Sequence, residues 1–154
     1  FGSSNIINIV WMGDINNVIF SLIEASLLVD NIKIDIFTDE KIYNNIKNTL
    51  PLSSKINFHF EVDNNILKSS HCVMTDVFNS MNDLDDKEQI LNKFQVNEKI
   101  MSMTNADTVF MHCLPAKIGS EVTQEVIKGN KSIVVKQAKN RMVAQRGILK
   151  WLDI

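Results

Sequence analysis

Short apolar runs alternate with segments of helical periodicity along nearly the whole chain, and this alternation limits the fold more than any other feature. Residues 6–12, Ile-Ile-Asn-Ile-Val-Trp-Met, read as a buried strand that Gly13 and Asp14 interrupt. Behind them Ile15, Val18, Ile19, Leu22, Ala25 and Val29 recur at helical spacing. A second strand is expected over 32–37, where Lys33 and Asp35 alternate with isoleucine, and a helix over 41–50 is stopped by Pro51. Residues 56–62 alternate again as a third strand, a short helix covers 64–69, and 72–75 make a fourth strand. A polar loop over 76–86 leads to short helices over 87–94 and 97–103. A fifth strand spans 108–112, and a loop over 113–120 carries Pro115 and Gly119. Residues 121–128 are expected to be helical, 132–135 a short strand and 137–152 a final helix. Strands separated by helices need crossover connections, which implies a mainly parallel sheet. The expectation is therefore an α/β chain: a Rossmann-like three-layer domain with a mainly parallel sheet flanked by helices. No internal repeat, low-complexity tract or linker divides it, so residues 1–154 read as one domain.

Composition removes several classes of function. Hydrophobic residues make up 45% and charged residues 22%, as in an ordinary water-soluble core-forming chain. A net charge of −2 leaves no basic footprint for nucleic acid or an anionic membrane, and no apolar run is long enough to span a bilayer. The two cysteines, Cys72 and Cys113, form no CxxC motif, which argues against a zinc ribbon or a redox dithiol. Free thiols suit a reducing compartment. The chain begins at Phe1 rather than Met, so a fragment or a processed product is expected, with any targeting segment missing.

In parallel sheets ligands bind beyond the carboxyl ends of the strands. Three polar segments fall there: 13–17, 76–82 and 112–115. The first, Gly-Asp-Ile-Asn-Asn, opens a helix whose free N–H groups suit a carboxylate or phosphate, and Asn16 or Asn17 could equally be a simple cap. A single glycine falls short of a dinucleotide fingerprint. Asp76 could hold an ammonium group, although most loop aspartates are only solvated. Cys113 stands beside His112, but neighbours in a strand face opposite ways, which places the pair badly as nucleophile and base. Arg141 on the final helix could meet an anionic or carbonyl oxygen, against the commoner case of a solvated arginine.

Together these segments resemble the carboxyl-terminal half of ornithine carbamoyltransferases, within the aspartate/ornithine carbamoyltransferase superfamily. The resemblance rests on Gly13-Asp14-Ile15-Asn16-Asn17-Val18, Thr75-Asp76-Val77-Phe78-Asn79-Ser80-Met81, Phe94-Gln95-Val96-Asn97, Phe110-Met111-His112-Cys113-Leu114-Pro115-Ala116, Glu121-Val122-Thr123 and Asn140-Arg141, in that order. Aspartate carbamoyltransferases carry proline where Cys113 stands. Putrescine carbamoyltransferases share the His-Cys-Leu-Pro run but lack the Ser-Met loop, so Ser80 and Met81 favour ornithine. Two positions depart from the pattern: Asn82 replaces a glycine, and Lys139 replaces a glutamate.

The resemblance implies transfer of the carbamoyl group of carbamoyl phosphate to the δ-amine of L-ornithine, giving citrulline and phosphate, with no cofactor and no metal. It implies that Asn17, Asp76, Ser80 and Met81 bind ornithine. Cys113 and Arg141 take the catalytic roles, Cys113 as proton acceptor and Arg141 at the carbamoyl oxygen. Cys113, Leu114 and Arg141 meet carbamoyl phosphate, Leu114 through its carbonyl and a cis Leu114-Pro115 peptide. The family's Ser-x-Arg-Thr phosphate loop does not occur in this sequence, so an N-terminal carbamoyl phosphate domain is expected elsewhere in the same protein. A homotrimer is expected for the full-length enzyme, with the fragment alone inactive. The expected location is cytoplasmic, with the mitochondrial matrix left open. Two other readings stay beside this one. One is a non-catalytic amino-acid-binding relative, or a carbamoyltransferase for another amine such as putrescine; the other is a Rossmann-like nucleotide binder.

Overall fold

In the computed structural model, which describes residues 5–51, 53–79 and 87–153, the apolar runs become β1 (Ile7–Met12), β2 (Ile32–Phe37), β3 (Ile56–His59), β4 (Cys72–Thr75) and β5 (Val109–His112). They form one sheet in the order β3-β2-β1-β4-β5, with every pairing parallel. Met12 lies opposite Phe37, Trp11 opposite Met74, and Thr75 opposite His112. The chain builds outward from β1 to β3, then returns to place β4 on the other side of β1. The strand order therefore reverses between β1 and β4, and loops diverging there leave a crevice.

Both faces of the sheet are covered, which explains why residues 9–12 of β1 read as a continuous apolar run rather than an alternating one. Val10, Met12, Phe37, Val73 and Phe110 pack on one side with Leu67, Leu91, Phe94, Met101 and Val126. Trp11, Ile34, Ile36, Cys72 and Met74 pack on the other with Ile15, Ile19 and Ile23. Side chains as large as Trp11, Phe37 and Phe110 are fully shielded, each contributing on the order of 1.5–3 kcal/mol by leaving water.

The helices are α1 (Asn17–Leu28), α2 (Glu40–Ile46), α3 (Asn64–Ser69), α4 (Glu88–Leu91), α5 (Glu98–Ser102), α6 (Gln124–Lys128) and α7 (Val134–Trp151). Asn16, Asp39, Asp63 and Asn97 start four of them by accepting first-turn N–H groups on their side chains. Three expectations need correction. The third strand ends at His59, so residues 60–62 bend away from the sheet instead of extending it. Residues 132–135 do not form a strand: Ser132 makes one parallel bridge to Phe110, and Val134 already opens α7. Residues 121–123 are not helical either, because Val122 bridges to Val96 and Ile118 while the Glu121 carbonyl accepts the Val96 N–H. Beyond Val134, α7 is exposed almost all round, with Trp151 at 82%. Among the described residues no helix is long and apolar enough to cross a membrane.

Candidate active site

The ends of β1 and β4 are stitched together at the reversal point. Thr75 Oγ1 donates to the Met12 carbonyl at 2.5 Å. The chain then turns at Gly13 with φ +123°, and a Cβ there would sit 2.7 Å from the Phe78 ring. Glycine is required on both counts: for the backbone angle and for the approach of the loop after β4. Asn16 follows and does two things with one amide. Its Oδ1 accepts from the Val18 N–H at 3.0 Å and the Ile19 N–H at 3.4 Å, capping α1. Its Nδ2 donates to Asp76 Oδ2 at 3.0 Å, which ties the helix N-terminus to the carboxylate that follows β4.

The end of β5 supplies the third side. His112 is buried and turned inward, where Nε2 meets Glu121 Oε1 at 3.1 Å. Cys113 is exposed at the rim. Lost hydration, and after it the charge of the nearby Asp76 carboxylate, together push the Cys113 thiol up to about 11. Cys113 is therefore a protonated thiol at neutral pH, and its charge state is linked to Asp76. Leu114 adopts φ +58°, a region in which a leucine costs about 1–2 kcal/mol, and the Leu114–Pro115 peptide is cis. The Leu114 N–H donates to His112 Nδ1 at 2.9 Å.

A further set of contacts braces these loops from behind. The Asp14 carboxylate, 2% exposed, takes the Lys87 ammonium at 3.0 Å. The Lys87 N–H donates to Asn79 Oδ1 at 2.8 Å, which ties the loop after β4 to the start of α4. Glu88 Oε1 accepts from Ser120 Oγ at 2.8 Å and pairs with Lys117, joining the start of α4 to the loop after β5.

Of the residues expected from sequence, Asp76, Cys113 and Leu114 follow the carboxyl ends of the neighbouring strands β4 and β5, with Asp76 near enough for its charge to act on Cys113. Asn17 is exposed at the first position of α1, and Asn16 makes the bond to Asp76. Ser80, Met81 and the departure at Asn82 lie outside the described residues. Arg141 is exposed on α7 and makes no hydrogen bond or ion pair with the described residues. Sequence reasoning gave no role to Asn16 beyond capping, and none to Glu121. A carboxylate nine residues after a histidine carries no recognisable local signal, and only the fold brings the two together. Among the described residues no group of three or more His, Cys, Asp or Glu side chains could hold a metal ion.

Known proteins share both sequence and architecture with this chain. Residues 5–152 match the family model for the Asp/Orn binding domain of aspartate/ornithine carbamoyltransferase. An ornithine carbamoyltransferase of Rhodopseudomonas palustris is 37% identical over 147 residues, covering 93% of this chain and 47% of that protein. One from Archaeoglobus fulgidus is 37% identical over 149 residues, covering 93% and 48%. The crystal structure of ornithine carbamoyltransferase from Burkholderia thailandensis superposes with a TM-score of 0.83 at 29% identity, covering 98% of this chain and 49% of that one. The Thermus thermophilus enzyme gives 0.78 at 28% identity, covering 97% and 49%. The chain thus spans about half the length of the relatives it matches. On this agreement of motif, fold and sequence, the chain belongs to the Asp/Orn binding domain family of aspartate and ornithine carbamoyltransferases.

Proposed function

We propose that this chain is the ornithine-binding half of a carbamoyltransferase that moves the carbamoyl group of carbamoyl phosphate to the δ-amine of L-ornithine. The observation that carries the reading is the assembly of Asn16, Asp76 and Cys113 where the strand order reverses. A carboxylate held by a helix cap, beside a thiol whose protonation depends on it, suits a substrate amine that arrives charged and must react neutral.

In this reading the δ-amine lone pair attacks the carbamoyl carbon. The bond from that carbon to the phosphate oxygen breaks, its electron pair leaves with phosphate, and the departing phosphate takes the proton lost by the new C–N nitrogen; the Cys113 thiolate has already taken the first proton from the bound ammonium. Asp76 holds the amine. An ammonium seated between Asp76 and Cys113 offsets the Asp76 charge and favours the thiolate, which releases its proton to solvent as the amino acid binds. Cys113 therefore takes its proton-acceptor role only with the amino acid bound. The Leu114 carbonyl accepts from the carbamoyl NH₂, and Arg141 donates to the carbamoyl oxygen as charge develops there. Asn17, Ser80 and Met81 hold the amino-acid end of ornithine. The phosphate donors come from a carbamoyl phosphate domain of the same protein, the full-length enzyme is a homotrimer, and the two free thiols and bacterial relatives support a cytoplasmic location.

The test is citrulline formation by this chain joined to a carbamoyl phosphate domain, with putrescine as the competing amine. Ornithine should be carbamoylated in preference. Faster reaction with putrescine would reassign the substrate, and no product with either amine would favour a non-catalytic amino-acid-binding relative.

A further inference from the structure

We propose that His112 and Glu121 are a buried positioning pair that fixes the Cys113-Leu114 turn for reaction. The proposal rests on the reading of Cys113 and Leu114 given above, but its logic comes from three hydrogen bonds. Glu121 is fully buried, and its Oε1 acts as an acceptor toward the Lys117 backbone N–H. Its Oε1 faces His112 Nε2 at 3.1 Å, so Nε2 must carry the imidazole proton. In a neutral ring that leaves Nδ1 bare, and it is Nδ1 that receives the Leu114 N–H at 2.9 Å. The same Oε1 also receives the Lys117 N–H at 2.6 Å. One carboxylate oxygen therefore holds the turn at two points, directly at Lys117 and through the imidazole at Leu114. Gln137 Oε1 accepts the His112 N–H at 3.0 Å and fixes the base of the arrangement from α7.

A general stapling role does not account for these residue types. Glu121 Oε2 is buried with no hydrogen-bond partner among the described residues, which a core selected for stability alone would avoid. An apolar pair of similar shape would leave the Leu114 and Lys117 N–H groups without acceptors. What an apolar pair cannot do is present a bare ring nitrogen to Leu114, whose φ of +58° a leucine keeps only when its surroundings hold it there. Cys113 lies between His112 and the held amide, so the same bond fixes the backbone that carries its thiol.

The test uses this chain alone, with ¹⁵N-labelled histidine and no substrate, so it is independent of citrulline synthesis. The parent spectrum should show His112 with a protonated Nε2 and a bare Nδ1 at neutral pH. His112→Asn keeps an oxygen where Nδ1 accepts, whereas His112→Gln puts its amide where Nε2 lies and offers Leu114 nothing. Leu114 amide exchange should be about tenfold faster in His112→Gln and within about threefold of parent in His112→Asn. The alkylation midpoint of Cys113 should fall from about 11 toward the ordinary 9.0 in His112→Gln only. A proton found on Nδ1 would overturn the proposal, as would identical behaviour of the two variants. If His112→Gln does not fold, the parent tautomer and the His112→Asn exchange rate still decide. A chain that passes here but forms no citrulline when joined to a carbamoyl phosphate domain would retain the pair and lose the assigned reaction.

Discussion

Asp76 serves two neighbours: it accepts from Asn16 Nδ2, and its charge bears on the Cys113 thiol. The two effects can be separated. Asp76→Asn keeps the size of the side chain and removes the charge, so the Cys113 thiol should titrate below its present value of about 11. Lost hydration is the larger cause and persists, so the thiol should stay above 9.0. Alkylation rate against pH reads this directly, and an unmoved or rising midpoint would mean that the carboxylate does not act on the thiol. Gly13 makes a second residue-level prediction. Gly13→Ala must accept both a φ of +123° and a contact of 2.7 Å with Phe78. Unfolding in urea should show a loss of about 2 kcal/mol or more, from backbone strain plus overpacking. A loss under about 0.5 kcal/mol, the range of ordinary surface changes, would show that the turn relaxes freely.

At the scale of elements, the strands and one candidate cap, at Asn16 or Asn17, were legible because their signals are local. The run Ile-Val-Trp-Met in β1 has no polar interruption because both of its faces are buried, and Asn16 and Asn97 sit where first-turn N–H groups need acceptors. Residues 132–135 misled for the same reason: Ile133, Val134 and Val135 are β-branched, yet only Ser132 reaches the sheet before α7 begins. Residues 121–123 carry a helix-like pattern, but the inward pull of Glu121 on His112 and the bridge of Val122 to Val96 keep them extended. Of the site, the positions beyond β1, β4 and β5 could be read from strand order, and Asp76 and Cys113 with them. The Asp14–Lys87 ion pair could not, because its partners come from elements far apart in sequence. It makes the third prediction. Lys87→Met removes an ammonium from a carboxylate that is 2% exposed, and stability should fall by about 3 kcal/mol. With Asp14→Asn added, the double variant should lose less than the sum of the two single losses. Strict additivity in urea unfolding would mean that the two groups do not interact.

For the molecule as a whole, the open question is how much of an enzyme this chain makes by itself. Its sheet is covered on both faces by its own residues, so we expect it to fold without a second domain. The last helix is another matter. Met142 and Leu149 lie on an α7 that packs on the sheet only at its start, and they remain exposed along with Val143, Ile148, Trp151 and Leu152. An apolar surface of that extent on a surface helix usually meets a partner. The chain also spans about half the length of its relatives, and no Ser-x-Arg-Thr run supplies phosphate donors. We therefore expect the purified chain to unfold cooperatively and to give no stable trimer by light scattering. It should make no citrulline at saturating ornithine and carbamoyl phosphate. Joined to a carbamoyl phosphate domain, it should become both trimeric and active. Turnover by the chain alone would place the phosphate-binding groups within these residues and overturn the half-enzyme reading. A stable trimer of the chain alone would show that its own surface, rather than the other domain, carries the assembly.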